Sequence, residues 1–181
     1  MGQQDREREL RTMRLRTLWL SIAIVVAFAA CTLASAAERY RVYANARFGT
    51  TAEIPAGWIA GPEPANGDGL RFRSPDGRGT ITVSGNLHIW DSVDEGIALF
   101  DERDKDEKVT YRQRDGRNLV VSGTRGDEIF YERHILSCGD QIWNNLRIAY
   151  PAREKAAYDA LVTHVSRSLR PGRSGQVPNC R

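Results

Sequence analysis

The chain has 181 residues, 41% hydrophobic and 27% charged, with a formal charge of +3. That length supplies one ordinary domain with a genuine core, and excludes both a peptide and a multidomain enzyme. The apolar and charged fractions exclude a wholly disordered, collagen-like or polytopic membrane chain.

The first element is a targeting segment. Residues 1–16 hold five arginines and three acids, and residues 18–30 (LWLSIAIVVAFAA) contain one polar side chain, Ser21. A charged start, an apolar run shorter than the ~20 residues of a spanning helix, and small residues at Ala34 and Ala36 together read as a secretory signal peptide. Cleavage is expected between Ala36 and Ala37. A conventional signal, MRLRTLWL, also begins at Met13, which offers an alternative start. Two other outcomes stay open: retention of the segment through Leu33 as an anchor, and lipidation at Cys31 within Phe28-Ala29-Ala30-Cys31, where Phe28 replaces the usual aliphatic residue. Export places the protein in the periplasm or outside the cell. Membrane contact is expected only if the segment is retained or lipidated. Losing residues 1–36, with five arginines and three acids, lowers the formal charge from +3 to +1. No basic footprint remains, so nucleic acid is not an expected partner.

Beyond the signal, alternation and turn residues divide the chain. Residues 40–44 and 47–54 read as strands, closed by Pro55-Ala56-Gly57 ahead of Trp58. Asn66-Gly67-Asp68-Gly69 marks a loop, 70–74 a strand, Asp76-Gly77 a turn, and 80–84 another strand, a hairpin pattern. Ser92 followed by Glu95 forms a capping box, and Val93, Ile97 and Phe100 recur at helical spacing, which predicts a helix over 92–104. Four strands follow, over 107–114, 118–124, 128–137 and 141–150, separated by short linkers rich in Gly and Asp. After Pro151, the residues Tyr158, Leu161, Val162, Val165 and Leu169 trace an amphipathic helix. The organisation is therefore a signal over 1–36, one domain over 37–170, and a Gly/Pro-rich tail over 171–181. Strands in hairpin succession with two main helices predict an α+β fold, a mostly antiparallel sheet with the helices packed on it.

With Cys31 removed, Cys138 and Cys180 remain, and two cysteines in an exported protein read as one disulfide. Closing a loop of about 43 residues stabilises by about 4 kcal/mol through chain entropy. The rival reading is pairing of Cys180 between chains. The spacing fits no zinc pattern.

The stretch from Arg47 to Trp58 (RFGTTAEIPAGW) resembles the opening signature of the PsbP-like fold, whose members include extrinsic photosystem proteins and a nuclear-import factor. The later order of strands, helix, hairpins and C-terminal helix is similar too. Asn66 to Gly69 (NGDG) and Ser74 to Arg78 (SPDGR) also resemble a group of uncharacterised exported bacterial proteins. The resemblance implies a fold that serves accessory and binding roles more than any one activity.

Candidate chemistry is sparse. His88, beside Trp90 and Asp91 at a strand-to-helix junction, is the most pocket-like histidine and anchors the rival reading of an envelope hydrolase. Alternatively it is a loop histidine bonded to backbone. His134 shares a strand face with Glu132, but two ligands make a poor metal site, and His164 falls on the polar side of the last helix. No Ser sits in a G-x-S-x-G elbow. Cys138 and His134, four residues apart on a strand, stand about 13 Å apart by rise alone. The NGDG loop lacks a calcium loop's remaining ligands and reads as a turn. The mixed-sign run 101–108 (DERDKDEK) reads as an exposed helix end, and Trp58, Trp90 and Trp143 as core or loop anchors, with a ligand platform the alternative. No metal or other cofactor is expected.

Strand parity supplies one further expectation. Leu70 and Phe72 oppose Arg71 and Arg73; Ile81 and Val83 oppose Thr80, Thr82 and Ser84; Val109 and Tyr111 oppose Thr110 and Arg112. Ile142, Leu146 and Ile148 join the apolar face, leaving Trp143, Asn145 and Arg147 opposite. A polar face left open by the helices, bearing Arg71, Arg73, Arg112 and Arg147 and flanked by Trp143, would take an anionic group of a protein or small ligand by bidentate bonding and stacking. The alternative is that these arginines pair with acids such as Glu132 on a solvated face. The leading expectation is thus an exported, non-enzymatic binding domain; a hydrolase with a site near His88, Trp90 and Asp91, or a lipid- or helix-tethered envelope module, are the rivals.

Overall fold

Period-two alternation along the strands leaves each with one apolar face to bury, and the chain satisfies them in one large sheet. A computed structural model describes residues 39–173, with Gly2 and Cys180. The chain divides at Glu38, and the unit described is the one that begins at Arg39. The expected signal, its cleavage point at Ala36 and Ala37, Cys31, and residues 174–179 of the tail lie outside the described residues. Among the described residues no helix is long and apolar enough to cross a membrane.

In chain order the elements are β1 (Tyr40–Ala44), β2 (Thr51–Pro55), β3 (Ile59–Ala60), β4 (Gly69–Arg73), β5 (Thr80–Leu87), α1 (Val93–Leu99), β6 (Glu107–Asp115), β7 (Asn118–Arg125), β8 (Glu128–Ser137), β9 (Ile142–Pro151), a 3₁₀ turn (Ala152–Glu154) and α2 (Lys155–Ser168). β1 and β2 form a separate antiparallel pair, and the remaining strands form one antiparallel sheet in the order β3-β4-β5-β9-β8-β7-β6. The α+β class is as expected from the sequence.

Topology decides what covers each face. The chain leaves the sheet at β5, beside the central strand β9, and re-enters at the far edge with β6. α1 lies on that crossing, packing Ile97 with Val93 and Phe100 over Leu119, Val121, Phe130, Leu136 and Trp143. On the opposite face α2 presses Tyr158, Leu161 and Val165 against Ile81, Val83, Leu146 and Ile148, with Ala52 and Ile54 of β2 in the same core. The helices therefore sit on opposite faces. This corrects the expectation that both would cover the apolar face and leave the other open. Among the described residues, the part of the α1 face over β3, β4 and β5 carries no helix.

Element bounds differ from expectation where side chains intervene. The second strand begins at Thr51 rather than Arg47, because Asn45 Oδ1 accepts from Phe48 N at 2.7 Å and Gly49 turns at φ 75°. Gly49 also lies against the tail, where a Cβ would stand 2.3 Å from Arg173 O. Helix α1 ends at Leu99, short of residue 104, because Phe100 folds onto His134 and Arg103 reaches into the sheet. Its N-cap is as read, with Ser92 Oγ accepting from Glu95 N at 3.2 Å, but the return bond falls one residue earlier than in a capping box, Glu95 Oε2 accepting from Asp91 N at 3.2 Å. A bulge between Val109 and Tyr111 shifts register, so Val109 pairs with Gly123 and Tyr111 with Ser122. These two residues thus lie on opposite faces, not on one as strict alternation implies.

Both glycine-bearing motifs are turns. In NGDG, Asn66 Nδ2 donates to Asp68 Oδ2 at 2.7 Å and Gly67 adopts φ 60°. In SPDGR, Ser74 Oγ donates to Asp76 Oδ1 at 2.6 Å and accepts from Gly79 N at 2.8 Å. Hydrogen bonds from Ser74 and Arg78 hold the Asp76 carboxyl at about 2. Cys138, in the β8–β9 turn, is disulfide-bonded to Cys180 with a Cα separation of 4.8 Å, and packs with Phe48 and Ile142.

Candidate binding surface

One ladder row crosses the sheet through Arg71, Thr82, Arg147, Glu132, Val121 and Arg112, each paired to the next. Parity places all six side chains on the α1 face, so the sequence reading correctly grouped Arg71, Arg73, Arg112 and Arg147 on one side. Their surroundings differ because α1 and the turn after it cover one end of the row.

Under that cover the arginines are paired. Arg103 Nη1 contacts Glu132 Oε2 at 2.7 Å and Glu107 Oε2 at 3.5 Å. Arg147 binds the other oxygen of Glu132 and also Glu107. Arg112 meets Asp101 at 2.9 Å, and Arg114 meets Asp94 at 2.6 Å. Phe130 lies beneath both guanidiniums of the inner cluster, 5.5 Å from Arg103 and 4.8 Å from Arg147. Burial pushes the Glu132 carboxyl up, but the His134 ring beside it and the hydrogen-bonded Arg103 guanidinium outweigh that and hold the group at about 2. The alternative weighed from sequence, arginines paired with acids such as Glu132, describes Arg147 and Arg112.

His134 completes this cluster. Its Nδ1 lies 2.9 Å from Asn145 Oδ1, and Asn145 Nδ2 donates to Asn86 Oδ1 at 2.7 Å. That chain of amides makes Nδ1 the donor. Nε2 lies 3.6 Å from Glu132 Oε2 with no hydrogen-bond partner, and the ring stacks on Phe100 at 3.8 Å. Two guanidiniums take both oxygens of Glu132, so a cation has no place beside it. A concavity of about 370 Å³ opens here, lined by Arg103, Glu107, Arg125, Glu132, His134 and Arg147. Its full lining sets three arginines against four acids, Glu102 and Asp104 joining Glu107 and Glu132, so it offers an anion no net positive charge.

Trp143 is corrected outright. It points to the α1 face as parity requires, but it is fully buried under α1, and cannot stack on a surface ligand. Its indole Nε1 donates to His88 Nδ1 at 3.0 Å. His88 therefore bonds a side chain and not the backbone, with Nδ1 spent as an acceptor. The ring also requires Gly96 in α1, where a Cβ would come within 2.5 Å of His88 Cε1. Trp90 packs 5.6 Å from His88 as part of the same anchor. Among the described residues no hydrogen bond or ion pair joins Asp91 to His88, so the two do not form an acid–base pair. His164, on α2, stacks on Tyr40 at 3.8 Å and lies 2.5 Å from Glu53 Oε2.

The uncovered part of the face has a different chemistry. Arg71 and Arg73 are exposed on β4, and Thr80, Thr82, Ser84 and Asn86 are half-buried beside them on β5. Arg71 pairs across the ladder with Thr82 and Arg73 with Thr80, while Ile59, opposite Arg73 on β3, is 62% exposed. Among the described residues neither guanidinium takes part in a hydrogen bond or ion pair. Sequence reasoning did not separate these two arginines from Arg112 and Arg147. The signal that could have done so is the acid-rich run 101–107, which follows α1 and supplies counter-charges to one end of the row only.

No family model and no curated protein sequence matches the chain. Solved structures do. The cyanobacterial PsbP protein CyanoP from Synechocystis sp. PCC 6803 superimposes with a TM-score of 0.55 at 14% identity, over 76% of this chain and 95% of that one. The Ran-binding protein Mog1p of Saccharomyces cerevisiae gives 0.50 at 11% identity, over 75% and 96%, and a single-residue mutant of Mog1 gives 0.50 at 11%, over 76% and 98%. The β1–β2 pair, the antiparallel sheet and the two helices are thus arranged as in these structures, and the chain has the PsbP/Mog1-like α+β fold.

Proposed function

We propose that this chain is an exported accessory domain of a bacterial envelope that acts by binding a partner and catalyses no reaction. The observation that carries the reading is the state of its reactive side chains. His88 accepts from Trp143, His134 is bonded and stacked inside an ion cluster, His164 contacts Glu53, and Cys138 is in a disulfide. Each already has a partner within the fold. The only described guanidiniums on the α1 face without a partner are on open sheet, a surface suited to docking.

Export rests on the N-terminal charge and apolar pattern, supported by the disulfide, which persists in oxidising compartments. The likeness to CyanoP and Mog1p supports the fold on which a binding role is built. The NGDG and SPDGR resemblance to exported bacterial proteins agrees with the same placement. N-terminal sequencing of the protein recovered from the envelope is expected to begin at Ala37; a start at Cys31 with added lipid mass, or retention of residues 18–33, would make it the tethered module instead. Chromogenic ester, phosphate and glycoside substrates test the hydrolase reading. No turnover is expected, and turnover abolished by His88→Ala would overturn the binding reading.

A further inference from the structure

We infer that the open part of the α1 face, built by Arg71 and Arg73 with Thr80, Thr82, Ser84 and Ile59, docks an extended acidic segment of a partner protein. This rests on the binding reading above and names the partner's chemistry. Arg71 and Arg73 stand two residues apart on one strand, so their side chains leave the same face about 7 Å apart. Like charges at that spacing repel, yet among the described residues no acid answers them. Asp76 is held by Ser74 and Arg78, and Glu107 and Glu132 by Arg147. Elsewhere on this face the fold supplies a carboxylate to each arginine named above; here it supplies none. The missing counter-charge comes from outside.

Spacing identifies its form. An extended chain presents alternate side chains to one side with the same repeat of about 7 Å, so carboxylates at positions i and i+2 meet Arg71 and Arg73 together. Each forms a charge-assisted, bidentate pair. The hydroxyls of Thr80 and Thr82, directly opposite the two arginines, lie within the same patch to donate to carboxylate oxygens that the guanidiniums leave unfilled. Ile59, exposed at the end of the patch beside Arg73, gives an apolar edge for the segment's intervening residues. A basic or neutral chain has no comparable fit.

The probe is an acetylated, amidated nine-residue peptide of alternating Glu and Thr, titrated into the full chain expressed with its N-terminal segment. Binding is expected to weaken at least tenfold when Gln replaces Glu, and at least fivefold when the same glutamates are placed contiguously. Raising salt from 50 to 200 mM should weaken it further. Arg71→Gln with Arg73→Gln should cost at least tenfold, whereas Arg112→Gln, whose partner is Asp101, should change affinity less than twofold. Amide shifts in the unmodified protein give an independent readout, expected at 71–73 and 80–84. Equal binding of the Gln peptide, an unaffected double variant, or shifts centred elsewhere would overturn the surface. So would arginine-dependent binding of inorganic pyrophosphate as tight as that of the peptide, or of phosphatidylglycerol vesicles in its place. None of these results would remove the accessory reading, which falls only on turnover.

Discussion

The two ends of the α1 face begin from the same alternating strands and finish with opposite electrostatics. Over β6–β9, Arg147, Arg112 and Arg114 are matched by Glu132, Glu107, Asp101 and Asp94. Over β4 and β5, Arg71 and Arg73 face solvent without acids. The difference comes from the path of the chain: leaving β5 at the sheet's centre and returning at β6 carries α1, with Asp94, and the acidic turn after it across one part of the face only. Arginines under the crossing hold the fold; those outside it are free for another molecule. Identical residue types thus carry different roles, set by connectivity.

Breaking the paired end should have the largest effect. Glu132→Ala leaves Arg103 and Arg147 with Glu107 as the one acid between them in a half-buried cluster, and is expected to lower unfolding free energy by about 3 kcal/mol, the low end for a broken buried ion pair, in a denaturant titration. A loss near zero would mean that the cluster is solvated like a surface pair.

Acid titration sharpens the same point. Glu132 is held at about 2 against an ordinary 4.5, so its folded value is depressed. Its contribution is complete above about pH 4.5 and is lost as pH falls toward 2. Asp76, also held at about 2, titrates over the same range, so the measurement is the difference between parent and Glu132→Gln. The variant should show the shallower decline in stability. Identical slopes would place the acid-sensitive interaction elsewhere.

A smaller effect is expected at the buried anchor. Trp143→Phe removes the hydrogen bond to His88 and leaves a small void, costing about 1 to 2 kcal/mol by thermal or chemical unfolding. Smallest of all, Arg71→Gln with Arg73→Gln should change stability by no more than about 0.5 kcal/mol, because the pair supports nothing in the fold. A large loss there would make the two ends of the face alike.

Much of the fold was legible in the sequence because its signals are local. Residues 70–73 and 80–84 alternate cleanly on either side of the Asp76-Gly77 turn, Ser92 and Glu95 announce α1, and Tyr158, Leu161 and Val165 trace α2. Parity correctly grouped the arginines on one side. What it could not supply was which helix covers which face, since that depends on strand order. β9, last in sequence, lies in the middle of the sheet. For the same reason Trp143 was legible as pointing away from Leu146 but not as buried. The α1 boundary at Leu99 was hidden because Phe100 and Arg103 continue the helical pattern, yet their better partners, His134 and Glu132, are distant in sequence. The bulge at Val109 and Tyr111 left no local mark, as Val-Thr-Tyr is ordinary strand sequence.

A partner bound on the open part of the α1 face lies within reach of a side chain in that patch and out of reach of one on α2. Site-specific photo-crosslinking tests it most directly, with the reactive group placed in turn at Thr82, within that patch, and at Ala160, exposed on α2 across the sheet. The account predicts an adduct at Thr82 whose crosslinked peptide carries acids at alternate positions, lost when Arg71 and Arg73 are replaced by Gln, and none at Ala160. An adduct at Ala160 that ignores both arginines, with none at Thr82, would contradict it.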